Sequence, residues 1–297
     1  MNRRSFLKSF ATPLLPGCFG IAIAGGAAPR TVPDDAALQA RLAGLEAAAR
    51  GRLGVCILDT ESGREHGYRA DERFMMLSSF KLLACALVLH RVDAGEDSLD
   101  RRIVYGREAL LPWSPVTEQH ADGGGMRLAQ LCEATITTSD NAAANLILAT
   151  YGGPARLTAY VRALGDDVTR FDRIEPALNL PGDDDALDTT SPRAMVRTMQ
   201  TLLLGDALSI GSRLQLQRWL LGSTTGANRL KAGLPSDWKI GDKTGTNQRD
   251  ANDIAIVWPP GRPPLLVAAY LAGSAADSAQ KDRTLAAVGA LVRDVFG

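Results

Sequence analysis

Segments with the pattern of β-strands lie at both ends of this chain, and helical patterns fill the long stretch between them. The strand-like segments are residues 53–58, 66–68, 237–243, 253–258 and 265–271. An amphipathic helix at residues 36–50 precedes the first strand, and a long helix follows the last one. The sequence therefore predicts an α/β (α+β) fold, with one five-stranded antiparallel sheet flanked by the N- and C-terminal helices.

The middle of the chain predicts an all-helical domain inserted into this sheet. We expect residues 29–70 and 222–297 to form the sheet domain, and residues 71–221 to form the helical domain. Within the helical region, residues 165–188 are polar and show no periodic pattern, which is too long for an idle connector in a compact domain. Residues 170–188 are therefore predicted to form a functional Ω-type loop.

The first 28 residues predict a twin-arginine export signal. Arg3 and Arg4 precede an apolar stretch, and Ala22-Ile23-Ala24 offers small residues for cleavage. The alternative, an uncleaved membrane anchor, needs a longer apolar run than this one, which prolines interrupt. Cleavage after residue 28 leaves 30 basic and 33 acidic residues, a net charge of −3. We expect a soluble periplasmic monomer without stable membrane association.

Composition narrows the classes of function. The formal charge of the full chain is zero and no basic block occurs, so we expect no nucleic-acid partner. The three histidines, His66, His90 and His120, do not stand beside an acid or a nucleophile in a recognisable arrangement. This argues against a Ser-His-Asp hydrolase and against a zinc site. We expect neither a metal nor a cofactor.

A Ser-x-x-Lys pattern opens a helix that is otherwise almost entirely apolar. Ser78 and Lys81 are three residues apart, so their side chains lie on one face of a helical turn. A lysine in the first turn opposes the helix dipole and is costly to bury without partners. A serine with a nearby amine can form a nucleophile without histidine. The alternative is a capping Ser78 and a Lys81 that extends into solvent.

Three further stretches contain candidate site residues. Ser139-Asp140-Asn141 interrupts a helix, Lys243-Thr244-Gly245-Thr246 ends a strand, and Glu175-Pro176-Ala177-Leu178-Asn179 lies in the Ω-type loop. Gly245 is expected to let the backbone approach a ligand closely. Each stretch also has a structural interpretation, with Ser139 and Asp140 as helix caps and Lys243 at a solvated strand end. Their combined order and spacing favour a shared site.

With these four elements, the chain resembles the class A serine β-lactamases over nearly all of its length after the signal. The resemblance also includes the stretches 172–179 and 188–192. It implies a β-lactamase/transpeptidase-like fold and hydrolysis of the β-lactam ring of penicillins and cephalosporins through a serine acyl-enzyme, which confers antibiotic resistance. The catalytic residues that it implies are Ser78, Lys81, Ser139 and Glu175. The substrate-binding residues that it implies are Asn141, Asn179, Lys243, Thr244, Gly245, Thr246, Arg229 and Trp113.

The resemblance also suggests roles. Ser78 attacks the carbonyl, and its backbone N–H forms the oxyanion hole with that of Thr246. Lys81 and Glu175 are both candidate acylation bases. Further roles concern the water, the leaving group and the substrate. Asn179 holds the hydrolytic water with Glu175, and Ser139 relays a proton to the leaving nitrogen. Asn141 binds the side-chain amide of the substrate, and Trp113 flanks the entrance of the site. The substrate carboxylate is bound by Lys243, Thr244, Thr246 and Arg229.

Within the Ω-type loop, the resemblance implies an Arg173–Asp188 ion pair and a cis Glu175–Pro176 bond. Ile174, which is commonly tryptophan in relatives, and the acidic run 183–185 depart from the usual pattern.

Cys85 and Cys132 fall where many members of the family carry a disulfide. In an oxidising compartment they could pair, and two separate buried thiols are the alternative.

Two other functions share part of this pattern. A D-alanyl-D-alanine peptidase has the serine, lysine and Lys-Thr-Gly elements but lacks a deacylating glutamate, so Glu175 and Asn179 count against it. A penicillin-sensing receptor needs a membrane-spanning segment, and none is visible in the sequence. The substrate spectrum stays open between penicillinase, extended-spectrum enzyme and carbapenemase. Leu77 and Asn247 replace the extra cysteine pair of some carbapenem-hydrolysing members, which makes that spectrum less favoured.

Overall fold

A computed structural model describes residues 35–182 and 184–297 of the chain. The predicted signal lies outside these residues, as does Asp183. In chain order, the strands are β1 Arg52–Asp59, β2 Glu65–Tyr68, β3 Phe74–Met75, β4 Arg102–Ile103, β5 Met126–Arg127, β6 Thr189–Thr190, β7 Lys239–Thr246, β8 Ala251–Trp258 and β9 Leu265–Ala272. The helices are α1 Asp35–Ala49, α2 Lys81–Asp93, α3 Leu128–Thr137, α4 Asn141–Thr150, α5 Pro154–Ala163, α6 Pro192–Leu203, α7 Ile210–Leu221, α8 Leu230–Gly233 and α9 Ser278–Phe296.

The predicted five-stranded antiparallel sheet is confirmed, with the strand order β2-β1-β9-β8-β7. The two ends of the chain meet where β1 pairs with β9 along its whole length. Strand β7 extends three residues beyond the predicted end at Lys243, so the Lys243–Thr246 motif lies inside the strand. The extension occurs because Gly245 and Thr246 pair with Asn252 and Ala251 of β8.

Alternation along β1 places side chains on both faces of the sheet. Val55 and Ile57 join the core beneath α1 and α9, whereas Cys56 and Leu58 join the core shared with the central helices. Because β1 is buried on both faces, its sequence is a nearly continuous apolar run. The sheet is therefore a middle layer between the terminal helices and the helical region.

Helix α2 is the centre of the helical region. Every residue from Lys81 to Leu89 is buried, as expected for a helix that is apolar on all sides. The predicted cap before α6 is also present, since Ser191 Oγ accepts a hydrogen bond from the backbone N–H of Ala194 and Pro192 occupies the first helical position.

Cys85 and Cys132 are free thiols in this structure, so the disulfide alternative is not the one observed. They are nevertheless close, because Cys85 Sγ donates to the carbonyl oxygen of Cys132 at 3.7 Å. Burial raises the pKa of the Cys85 thiol well above its usual range, which disfavours the thiolate that oxidation requires.

No helix among the described residues is long and apolar enough to cross a membrane.

Candidate active site

Ser78 lies in a 3₁₀ turn, Leu77–Phe80, that leads directly into α2. Leu77 has a φ of +49°, in the left-handed region that side chains rarely adopt, so the backbone turns sharply just before the serine. Gly245 packs against this turn, and a Cβ on it would lie 2.9 Å from Leu77 Cβ and 3.2 Å from Ser78 N. The sequence predicts that the bare side of Gly245 faces a ligand, but it faces the turn that carries Ser78, where a side chain would push strand and turn apart.

Ser78 opens onto a cavity of about 380 Å³. The described residues that line it are Ser78, Trp113, Ser139, Asn141, Asn179, Thr225, Thr244 and Thr246. All of them except Thr225 belong to the predicted set. The other predicted residues are buried: Lys81, Glu175, Arg229, Lys243 and Gly245. The four separate motifs therefore meet at one place.

Lys81 is fully buried, and acceptor atoms surround its ammonium group. Its Nζ lies 2.6 Å from Asn141 Oδ1, 2.8 Å from the carbonyl oxygen of Ser139, 3.3 Å from Ser139 Oγ and 3.1 Å from Glu175 Oε1. Burial lowers the pKa of Lys81, while the negative charge of Glu175 acts in the opposite direction. The alternative in which Lys81 extends into solvent is wrong.

Glu175 lies within reach of both Ser78 and Lys81 and is only 2% exposed. Ser78 Oγ donates to Glu175 Oε1 at 3.5 Å, and Asn179 Nδ2 donates to Glu175 Oε2 at 2.5 Å. The Oδ1 atom of Asn179 is buried and has no hydrogen-bond partner among the described residues. A carboxylate oxygen and a free amide oxygen beside the serine can together hold a water molecule.

An ion pair closes the Ω-type loop that carries Glu175. Arg173 Nε lies 2.6 Å from Asp188 Oδ2, as the sequence predicts. Asp188 Oδ1 also accepts the backbone N–H groups of Asp172 and Arg173 at 2.8 and 3.0 Å. The Glu175–Pro176 bond is cis, as predicted. The start of the loop, at Asp172 and Arg173, is therefore bound directly to its end at Asp188.

A second lysine approaches Ser139 from the strand side. Lys243 is fully buried, and its Nζ donates to Ser139 Oγ at 3.0 Å and to the carbonyl oxygen of Thr244 at 2.7 Å. Burial lowers the pKa of Lys243 well below its usual range, and the positive charge of Lys81 contributes in the same direction. Ser139 Oγ thus lies between two ammonium groups, from which it can accept a hydrogen bond and pass on a proton.

Asn141 and Trp113 are held together at the side of the cavity. The backbone N–H of Asn141 donates to the Trp113 carbonyl oxygen at 3.0 Å, and its Nδ2 donates to that of Pro112 at 2.9 Å. Trp113 has a φ of +63° and is 65% exposed, with its indole N–H donating to the carbonyl oxygen of Thr138 at 2.9 Å. The exposed ring is fixed by its polar edge and presents an apolar face to the cavity.

Arg229 stands behind the end of β7 and does not line the cavity. Its Nη2 donates to Thr246 Oγ1 at 2.7 Å, and its Nη1 donates to the carbonyl oxygen of Gly245 at 2.9 Å. Asp282 of α9 pairs with Arg229 Nε at 2.8 Å. Arg229 therefore holds the hydroxyl of Thr246 at this edge, and its positive charge lies behind the cavity, paired with Asp282.

Comparison with known proteins decides the family. The profile described as the β-lactamase enzyme family matches residues 37–296. Among solved structures, the ancestral (GNCA) class A β-lactamase is 56% identical, with a TM-score of 0.86, and the match covers 87% of this chain and 100% of that chain. This chain belongs to the class A serine β-lactamase family.

Curated relatives agree with this membership. The β-lactamase L2 of Stenotrophomonas maltophilia is 45% identical over 309 residues, and the match covers 100% of both chains. The carbapenem-hydrolyzing β-lactamase KPC of Klebsiella oxytoca is 46% identical over 251 residues, covering 83% of this chain and 85% of KPC. As a class A β-lactamase, the chain hydrolyses β-lactams.

One residue that positions the glutamate of this β-lactamase, Asn145, was not among the residues predicted from the sequence. The side chain of Asn145 pairs with the backbone of Glu175: its Nδ2 donates to the carbonyl oxygen at 2.8 Å, and its Oδ1 accepts the N–H at 3.0 Å. Asn145 lies four residues after Asn141 and thus on the same face of α4. That spacing is the signal from which it could have been found.

Asp140 has the cap role that the structural interpretation of its stretch expects, whereas Thr225 was absent from the predicted set. Asp140 is a structural residue, since its carboxylate caps α4 at the N–H of Ala143 and accepts the N–H groups of Val116 and Thr117 at 3.0 and 2.9 Å. Thr225 was missed because no sequence pattern marks it, although its Oγ1 lies 2.6 Å from Thr244 Oγ1. The β-lactamase cavity thus has one more hydroxyl than predicted.

Proposed function

We propose that Ser78 is the nucleophile and Glu175 the general base of β-lactam hydrolysis in this class A β-lactamase. The observation that carries the proposal is the position of Glu175 Oε1, 3.5 Å from Ser78 Oγ and 3.1 Å from Lys81 Nζ in a buried site. A carboxylate in this position can accept the proton of the serine hydroxyl directly or through one water. Attack on the strained carbonyl then forms the acyl-enzyme.

The surroundings of Lys81 favour Glu175 over Lys81 as the acylation base. Four acceptor atoms lie within 3.3 Å of Lys81 Nζ, and one of them is Oε1 of Glu175. These acceptors and the charge of Glu175 oppose the burial that lowers the pKa of Lys81, and the ammonium form that they favour has no lone pair with which to accept a proton. Ser139 Oγ, which lies 3.3 Å from Lys81 Nζ, gives its proton to the departing nitrogen and takes one from Lys81. Lys81 in turn regains a proton from Glu175 Oε1, 3.1 Å away, which received it from Ser78.

The second half of the reaction uses the free oxygen of Asn179. A water that donates to Asn179 Oδ1 and to Glu175 would be held beside Ser78, where it can attack the ester. The oxyanion is stabilised by the backbone N–H groups of Ser78 and Thr246. Close packing of Gly245 on the Ser78 turn supports this pairing, because it brings the end of β7 beside the nucleophile.

The carboxylate of the substrate binds at the strand side of the cavity. Thr244 and Thr246 present hydroxyls there, and Lys243 and Arg229 supply positive charge behind them. Asn141 is placed to bind the side-chain amide, and Trp113 provides an apolar wall.

Penicillins and cephalosporins are the proposed substrates. The relative KPC is named for carbapenem hydrolysis, but this chain has Leu77 and Asn247 in place of an extra cysteine pair. Asn247 instead donates through Nδ2 to the carbonyl oxygen of Asn179 at 3.0 Å, which ties the β7–β8 turn to the Ω-type loop. Steady-state rates on one penicillin, one oxyimino-cephalosporin and one carbapenem measure this spectrum.

The experiment that tests the nucleophile combines rate and mass. We expect Ser78→Ala to lower kcat for benzylpenicillin by at least about 10⁴-fold, and to gain no mass when the drug is added. Thr225→Ala is the matched control, because it removes another hydroxyl from the same cavity and should keep most of the activity. Turnover of Ser78→Ala near the unsubstituted rate, or an adduct on another residue, would overturn the assignment.

Location, assembly and domain division are part of the proposal. The paired arginines support twin-arginine export to the periplasm and cleavage near residue 28. We further propose a monomer, with a sheet domain of residues 29–70 and 222–297 and a helical domain of residues 71–221. The two halves would then meet at the Ser78 cavity, where β7 packs against the turn before α2.

A further inference from the structure

Asn179, which holds the hydrolytic water in the proposed function, takes its position from the backbone of a short turn. This turn is the 3₁₀ segment Ala177–Asn179 of the Ω-type loop, and it lies beside the turn that carries Ser78. The carbonyl oxygen of Asn179 accepts a hydrogen bond from Asn247 Nδ2, in the β7–β8 turn, at 3.0 Å. A shift of this backbone therefore also moves the free Oδ1 atom of Asn179.

Beyond Asn179, a cavity of about 780 Å³ lies between the Ω-type loop and the sheet. Leu180 lines its loop side, and Ala272 of β9 lines its sheet side. Among the described residues, the contact between Asn247 and Asn179 is the only hydrogen bond that joins residues 177–187 to the five-stranded sheet or to the turns between its strands. This part of the loop thus faces a cavity, and a single hydrogen bond links it to the sheet.

Both ends of the Asn247 amide are engaged. Its Oδ1 accepts the backbone N–H groups of Arg249 and Asp250 at 2.9 and 2.7 Å. Its Nδ2 donates to Asp250 Oδ2 at 3.1 Å as well as to Asn179. Turning the amide over would place an oxygen against two acceptors, so this network fixes Nδ2 toward the loop.

Asp250 anchors the β7–β8 turn to the sheet. It is 8% exposed, and its Oδ1 accepts the backbone N–H of Gly273, just after β9, at 2.7 Å. A second anchor comes from α9, where the buried Lys281 donates from Nζ to the carbonyl oxygen of Gln248 at 2.7 Å. The turn is therefore held by both β9 and α9, and it provides a fixed point against which the loop is placed.

We propose that Asn247 and Asp250 form a clamp that positions Asn179 for deacylation. The proposal rests on the proposed function, in which Asn179 Oδ1 and Glu175 hold the attacking water. Neither residue of the clamp lines the cavity that takes the substrate, so both act through Asn179 and are positioning residues.

The clamp acts on deacylation more than on acylation. The backbone of Glu175 is held separately by Asn145, and Glu175 Oε1 lies 3.5 Å from Ser78 Oγ. Direct proton transfer from Ser78 to Glu175 therefore does not need the clamp. Deacylation needs the water on Asn179 Oδ1, and a misplacement on the order of 1 Å can cost about 10²-fold in rate.

Asn247→Asp tests the clamp. The new carboxylate can still accept the two backbone N–H groups of the turn, but its other oxygen faces two acceptors. At saturating benzylpenicillin, we expect the acyl-enzyme to persist at least about tenfold longer by intact-mass measurement, while stopped-flow acylation stays within about twofold. Gln248→Ala is the matched control with both rates unchanged, because this side chain is exposed in the same turn and only its backbone contacts Lys281.

A double variant separates positioning from support of the fold. Combining Asn247→Asp with Asp250→Asn restores a donor and an acceptor between the two positions, so Tm should recover. The carbonyl oxygen of Asn179 still lacks its donor, so deacylation should stay slow. Recovery of Tm and deacylation together would overturn the proposal. So would equal slowing of acylation and deacylation in Asn247→Asp, or decay of its acyl-enzyme at the rate of Gln248→Ala.

Glu175→Gln, measured in the same way, separates failure of the clamp from failure of the proposed function. If Glu175→Gln accumulates the acyl-enzyme and Asn247→Asp does not, the clamp is wrong and the proposed base stands. If Glu175→Gln returns to its free mass at the unsubstituted rate, the proposed function fails, and the clamp fails with it.

Discussion

Two buried lysines bracket Ser139, and their charges dominate this site at the scale of single residues. Lys81 Nζ and Lys243 Nζ lie 3.3 and 3.0 Å from the same hydroxyl oxygen. The negative charge of Glu175 compensates the charge of Lys81. Lys243 instead donates its hydrogen bonds to two uncharged oxygens, Ser139 Oγ and the carbonyl oxygen of Thr244. Lys243 is therefore the lysine whose charge is the more easily lost as pH rises.

We predict an alkaline loss of substrate binding that depends on Lys243. As pH rises through its lowered pKa, Lys243 loses its proton, and the cavity loses a positive charge that attracts the substrate carboxylate. The fall in kcat/KM for benzylpenicillin should begin below the ordinary lysine pKa of about 10.4. Lys243→Arg keeps its charge, so its alkaline limb should move to higher pH. Superimposable profiles for the two proteins would contradict this assignment.

At the scale of elements, the Ω-type loop depends on a few fixed points. The Arg173–Asp188 pair closes it, and Asn145 of α4 binds the backbone of its glutamate. Asn247 joins it to the β7–β8 turn. Because these contacts come from different elements, the position of Glu175 depends on how the elements pack against one another.

We predict that Asp188→Ala impairs deacylation more than acylation. The substitution leaves Arg173 Nε and two backbone N–H groups without their acceptor, and should reduce the free energy of unfolding by about 3 kcal/mol. Stopped-flow kinetics and thermal unfolding measure the two effects.

Asp294→Ala is the matched control, because it breaks the exposed pair with Arg41 and should change stability by less than about 1 kcal/mol. If Asp188→Ala resembles this control in both stability and deacylation rate, the loop does not depend on its ion pair.

Local pattern was sufficient to predict most of the elements and motifs. The five strands of the main sheet, α2 and the cap at Ser191 follow from periodicity and capping chemistry, which act between near neighbours in sequence. The short strands β3 to β6 were not predicted. Thr225 and Asp282 could not be predicted in the same way, because each acts on a residue more than a dozen positions away. Their contacts, Thr225 with Thr244 and Asp282 with Arg229, exist only after the sheet has assembled.

The end of β7 shows the same limit in one element. Gly245 lowers strand propensity, so the sequence favours an early end at Lys243. Pairing with β8 and close packing on the Ser78 turn override this local preference. The same packing sets the geometry of the site, so the wrongly predicted end of β7 lies within the Lys243–Thr246 motif.

At the scale of the whole molecule, the sheet separates two hydrophobic cores. One lies beneath α1 and α9, and the other joins the sheet to the central helices. The site residues come from α2, α4, the Ω-type loop and β7, so the site exists only when both parts of the chain have folded together.

We predict that the protein is monomeric, because the described residues of one chain bring all four motifs together at the Ser78 cavity. Sedimentation equilibrium across a hundredfold concentration range should show one species with the mass of one chain and constant specific activity. Association accompanied by a rise in specific activity would show that a second copy completes the site.

The most direct test of the account is the lifetime of the acyl-enzyme in Glu175→Gln. This variant keeps the shape of the side chain but removes the proposed base of both steps. Acylation should slow yet still go to completion in excess drug, whereas deacylation, which needs an activated water, should slow by about 10²–10⁴-fold. After benzylpenicillin is added, intact-mass measurement should show one drug bound per chain, attached to Ser78 and persisting long after the unsubstituted enzyme has returned to its free mass. Rapid return of Glu175→Gln to its free mass, at the unsubstituted rate, would contradict the account.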